Sequence, residues 1–89
     1  MEFQWDEAKR AANLAKHGFD FLRAVDVFLG PHLLIPAHNA ATEQRWLAIG
    51  TTNGVPVTVV FTPRGQAIRI ISIRSARRGE RRKHQALFD

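Results

Sequence analysis

Apolar side chains recur along this chain with two periods, and the change between them separates helical ends from a strand-rich middle. Ala8, Ala11, Ala12, Leu14 and Ala15 form a narrow stripe of small residues at helical spacing. Asp6 stands before the stripe as a cap and Gly18 after it as a stop, which predicts a helix to about residue 17. Phe21, Val25 and Phe28 share a second helical face, capped by Asp20 and ended by Gly30-Pro31, which predicts a helix over 21–29. Residues 32–37 then read as a short edge strand, because Pro36 has no N–H to give a ladder, and 38–42 as a polar loop. Strands are predicted over 43–52 and 55–62, joined by Asn53-Gly54, a strong hairpin signal. Residues 63–66 make a turn, 67–74 a last strand, and Ser75 caps a final helix over about 76–87. The expected fold class is therefore α+β: after a β-like start, two N-terminal helices, a four-stranded, largely antiparallel sheet, and a C-terminal helix.

The two turns imply a register. A two-residue Asn53-Gly54 loop sets Thr52 opposite Val55 and Ile49 opposite Thr58. An Arg64-Gly65 loop sets Thr62 opposite Ala67 and Val60 opposite Arg69. Trp46, Ala48, Val55, Val57, Val59, Phe61, Ile68 and Ile70 then share one face, which the N-terminal helices should cover. Arg45, Leu47, Ile49, Thr58, Val60, Thr62, Arg69, Ile71 and Ile73 share the other. A slip of one residue would invert the assignment.

Composition narrows the class. The 89 residues suffice for one domain, 1–89, with 45% apolar and 24% charged side chains, which is ordinary globular composition. There is no cysteine, so disulfides and cysteine-based metal or redox sites are excluded. No stretch approaches the roughly 20 apolar residues of a spanning helix. The first residues lack the basic-then-apolar order of a signal peptide, so a soluble, cytoplasmic protein is expected.

Charge changes the picture further. Formal net charge is +5, but residues 1–63 carry −1 and residues 64–89 carry +6. Seven of the eight cations in the second part are arginines, whose planar fork grips phosphate at two points. Such a footprint suits RNA or another polyanion. The plain alternative is a solvated charged helix. Arg45 and Arg69 lie on the less apolar face, either as phosphate ligands or as strand arginines snorkelling to solvent.

Phe3-Gln4-Trp5-Asp6-Glu7-Ala8-Lys9, Asn13, Lys16-His17-Gly18, Phe21 and Val27-Phe28 resemble the opening of the BrnT family of bacterial toxins. Glu43-Gln44-Arg45, Gly50, Arg69-Ile70-Ile71-Ser72-Ile73-Arg74-Ser75-Ala76 and Glu80 continue the resemblance in order, over nearly the whole chain. The resemblance implies a RelE-like fold and an endoribonuclease that stops translation. It also implies a cognate antitoxin of the BrnA type, through which alone operator DNA is reached, and leaves room for a toxin homodimer within that complex. No cofactor and no metal is expected from the residues themselves. Two positions depart from the family pattern. Ile73 stands where Ala is common and His84 where Tyr is common, and the chain has no tyrosine.

Metal-free RNA cleavage needs a base, an acid, cations for the phosphorane and a surface that holds the strand in line. Arg69 is the first candidate for transition-state charge. Arg69 and Arg74 point to opposite sides of a regular strand, so one phosphate could meet both only where a twist or bulge intervenes. Glu80 and His84, four residues apart on the last helix, are candidate acid–base groups. Arg74, Arg77, Arg78, Arg81 and Arg45 are candidate RNA contacts, with Arg74 alternatively pairing an acid. The resemblance marks Lys16 as a phosphate contact and His17 as an acid–base group; both also suit a helix C-terminus. His32 and His38 read as ordinary loop or strand residues. A non-catalytic basic module, or a degenerate toxin that only binds its antitoxin or nucleic acid, is the competing reading.

Overall fold

The computed structural model describes residues 1–38 and 43–89. Strand β1 (Glu2–Gln4) leads into helix α1 (Glu7–His17), then a 3₁₀ turn (Phe21–Arg23) and helix α2 (Ala24–Leu29). Strands β2 (Leu33–Pro36), β3 (Trp46–Thr52), β4 (Val55–Arg64) and β5 (Ala67–Ser75) follow, and helix α3 (Arg78–Phe88) closes the chain. The sheet order is β1-β5-β4-β3-β2. The expected loop over 38–42 falls, from residue 39 onward, outside the described residues.

Local chemistry explains α1. The Asp6 carboxylate accepts from the Ala8 and Lys9 N–H groups at 2.8 and 3.1 Å, and Gly18 ends the helix in the left-handed conformation. Arg10 grips Asp20 at 2.8 and 3.0 Å, fastening α1 to the start of the next turn. Asp20 also caps that turn through Leu22 N–H.

The structure corrects the expected fold in three ways. It has five strands and is mixed, because β1 pairs with β5 in parallel, Phe3 opposite Ile68. Three residues were too few to carry a periodicity. The predicted second helix is a 3₁₀ turn followed by a six-residue α-helix. The last helix starts at Arg78 rather than near 76, with Ser75 still in β5.

The Asn53-Gly54 register is as expected, Thr52 opposite Val55 and Ile49 opposite Thr58. Both turn residues have positive φ, 51° and 77°, which Asn and Gly tolerate. At the next turn Gly65 takes the first central place (φ 59°), so Arg64 faces Ala67 and Thr62 faces Arg69. This is a two-residue shift from the expected pairing, and it preserves the faces. A bulge then changes them: Phe61 faces Ile70 but Val60 faces Ser72, leaving Ile71 as the extra residue. Beyond it Ile73 turns inward opposite Val59, fully buried, rather than outward as a regular strand would place it.

The core lies between this inner face and the N-terminal helices. Ala48, Val57, Val59, Phe61, Ile70 and Ile73 pack against Phe21, Ala24, Val27 and Phe28. Phe28 sits edge-on to Phe61 at 5.0 Å and tilted to Phe3 at 5.6 Å. Val55, expected in the core, is exposed at the hairpin end. Asn13 is buried and bonds the Ile73 backbone at both ends, N–H to its Oδ1 at 3.1 Å and Nδ2 to the Ile73 carbonyl at 2.9 Å. One side chain thus serves the edge of β5 where β1 no longer pairs.

Candidate functional site

The outer face of the sheet is left to α3, which crosses only one end of it. Ile49 and Thr58 are buried beneath. Thr58 Oγ1 donates to Glu80 Oε1 at 2.8 Å, and so does the Arg77 backbone N–H. Arg74 completes the arrangement with Nη1 to Oε1 at 2.8 Å and Nη2 to Oε2 at 3.0 Å. Burial, the largest single influence, pushes the Glu80 carboxyl up. The bonds from Arg74, the Arg77 N–H and Thr58 together outweigh it and hold the pKa at about 2. Glu80 is therefore an ionised fastener with its lone pairs taken, a poor place for a proton-transfer group at neutral pH.

His84 faces elsewhere. Its Nε2–H donates to the Pro31 carbonyl at 3.0 Å, and its ring tilts against Phe88 at 4.8 Å. It borders a depression of about 190 Å³ with Ile49, Pro56, Arg81 and Asp89. The one-turn spacing of Glu80 and His84 puts both toward the sheet, yet each takes a different partner there.

The bulge at Ile71 brings Arg69, Ser72 and Arg74 to the same face, opposite Thr62, Val60 and Thr58. Arg69 and Arg74 still stand apart: their partners on β4 differ by four residues, about 13 Å along a strand. Arg69 Nη1 meets Gln4 Oε1 at 3.3 Å.

Between the bulge and α3 the outer face opens into a cavity of about 340 Å³. Leu47 and Val60 contribute apolar lining, and Arg45, Arg74 and Arg77 line it beside them. Arg45 Nε is buried with no hydrogen-bond acceptor, and lies 3.7 Å from a Glu43 carboxylate oxygen. His38 lines the same cavity. Its sequence surroundings give no sign of this; only the folding of β2 beside β3 brings it to Arg45 and Arg74. Arg78 and Arg81 are exposed on α3. Lys16 and His17 are exposed at the end of α1, one turn beyond Asn13. Among the described residues, no group of three or more His, Cys, Asp or Glu side chains could hold a metal ion.

Comparison with known proteins fits this architecture. The family model described as the ribonuclease toxin BrnT of type II toxin–antitoxin systems matches residues 5–80. The chain belongs to the BrnT family. A 1.1 Å crystal structure of the Brucella abortus ribonuclease toxin BrnT is similar to it, with 40% identity and a TM-score of 0.72. The match covers 88% of this chain and 99% of the Brucella one. No curated protein matches. The span matched by the BrnT family model reaches Glu80 and stops there, so the Arg74–Glu80 fastening lies inside it and His84 beyond it.

Proposed function

We propose that this BrnT family member is a metal-independent endoribonuclease toxin that cuts RNA on the outer face of its sheet. By that cutting it inhibits translation, and a cognate BrnA-like antitoxin neutralises it and carries it to operator DNA. The observation that carries the reading is the convergence of Arg45, Arg74 and Arg77 on one open cavity. Three guanidiniums around an apolar floor suit a phosphate gaining negative charge as a phosphorane forms. Arg69, farther along the same face, would hold a neighbouring stretch of the strand, while Arg78 and Arg81 extend the positive surface along α3. The reading includes the RelE-like kinship that the resemblance to BrnT implies.

Inducible expression in bacteria tests this reading. The wild-type chain should arrest growth with RNA decay. Arg45→Ala should relieve the arrest, because Arg45 is among the lining cations and takes no part in the Arg74–Glu80 fastening. The non-catalytic reading draws on the engagement of Glu80 and His84 with partners of their own. It requires that the folded protein retard RNA in a gel and leave it intact.

A further inference from the structure

Four histidines and several carboxylates could move a proton in this molecule, and their placement removes all but one from the cavity. Glu80 spends its oxygens on Arg74, Thr58 and the Arg77 N–H. Glu43 lies between Arg45 and Arg64, at 3.7 and 3.4 Å. His84 is bound to the Pro31 carbonyl over a different depression. His32 Nδ1 meets the Gly30 carbonyl at 2.8 Å, its ring against Phe28. His17 is exposed at the end of α1. His38 alone, among the described titratable side chains other than arginine, lines the cavity with Arg45, Arg74 and Arg77.

We propose that His38 takes the 2′-hydroxyl proton when RNA is cut in this cavity, an assignment that rests on the nuclease reading above. A neutral imidazole nitrogen accepts the proton as the 2′ oxygen bonds to phosphorus. The bond from phosphorus to the 5′ oxygen then breaks, that oxygen takes a proton from solvent water, the hydroxide so formed takes the proton back from the imidazolium, and a 2′,3′-cyclic phosphate remains on the upstream fragment. The guanidiniums hold the phosphorane charge throughout, which arginine does without giving up a proton. Histidine suits the step because its unperturbed pKa lies near neutral pH. His38 is exposed, so its replacement removes the imidazole and leaves the core untouched.

The test compares wild type, His38→Ala and His38→Gln in a bacterial translation extract supplied with a messenger, so that ribosomes are present. Binding of a 2′-O-methyl oligoribonucleotide, which cannot be cut this way, is measured in parallel. Cleavage by both variants should fall by about 100-fold or more, with binding changed by less than about twofold. Added imidazole should restore part of the rate to His38→Ala. If wild type cuts and His38→Ala cuts as fast, or loses cleavage only in step with binding, His38 is not the base and the nuclease reading stands. If wild type itself leaves the messenger intact, the nuclease reading falls and the role of His38 with it.

Discussion

Arg74 and Glu80 meet through two parallel hydrogen bonds, of 2.8 and 3.0 Å, and so tie the last strand to the last helix. Each is mostly shielded, with 17% and 12% of the side chain exposed. The pair lies at one end of the cavity and holds the Arg74 guanidinium in a fixed plane beside Arg77. A fork with one side committed to a carboxylate is already oriented for an anion on the other.

Stability should follow the charge on Glu80. Its pKa falls from the ordinary 4.5 to about 2 on folding, so the contribution is complete above about pH 4.5. It is lost as pH drops toward 2. Glu80→Gln should cost about 2 kcal/mol at pH 7 by urea denaturation, the scale of losing hydrogen bonds to a charged group. The gap between variant and wild type should narrow steadily below pH 4.5. A gap unchanged at pH 2.5 would show that the carboxylate charge contributes nothing.

Asn13 offers a second test. Its amide gives two hydrogen bonds, to the Phe19 and Ile73 carbonyls, and takes one from the Ile73 N–H. Asn13→Ala should lower stability by about 2–3 kcal/mol, since buried backbone groups lose their partners. Asn13→Asp should be at least as damaging, because a carboxylate cannot donate to two carbonyls. Denaturant midpoints for both variants decide it; an unaffected Asn13→Asp would overturn the bridging role.

Much of this was legible in the chain, and the misses share a cause. Asp6, Gly18 and Asn53-Gly54 act locally, and their helix and hairpin form where their chemistry requires. The core face of β3 and β4 followed from alternation alone. Ile73 and Arg74 did not, because the bulge at Ile71 reverses the alternation after it and nothing in a run of Ile-Arg-Ile-Ile-Ser-Ile-Arg marks which residue is extra. Arg69 and Arg74 were expected on opposite sides unless a bulge intervened, and the bulge is there. Glu80 and His84 were matched by helical spacing, which fixes a common face but not a common partner: Thr58 and Pro31 come from distant parts of the chain. His38 escaped for the same reason.

His84→Ala should separate the end of α3 from the chemistry. The imidazole contributes one hydrogen bond to Pro31 and a ring contact with Phe88. Losing them should cost about 1 kcal/mol of stability. Cleavage should change by less than about tenfold, since the group faces away from the arginine cavity. A loss of about 100-fold with the fold intact would return His84 to the reaction and displace the cavity assignment.

Binding in salt tests where the phosphates sit. Each cation that neutralises a phosphate of a single strand contributes about 0.7 to the slope of log affinity against log salt. Arg45→Ala should therefore weaken binding of a 2′-O-methyl oligoribonucleotide and flatten that slope by about 0.7. Arg69→Ala should do the same, because Arg69 stands across β4 from Arg45, two strand spacings or about 10 Å away, and its guanidinium turns to Gln4 on the far side, where it meets a different phosphate. The double variant should flatten the slope by about 1.4, the two losses adding, as expected of sites too far apart to share a phosphate. If instead each single variant removes nearly the whole effect of the double, both arginines converge on one phosphate and the strand crosses the sheet by a shorter path. If neither alters the slope, RNA approaches by the exposed cations of α3, and replacing Arg78 and Arg81 would then carry the loss.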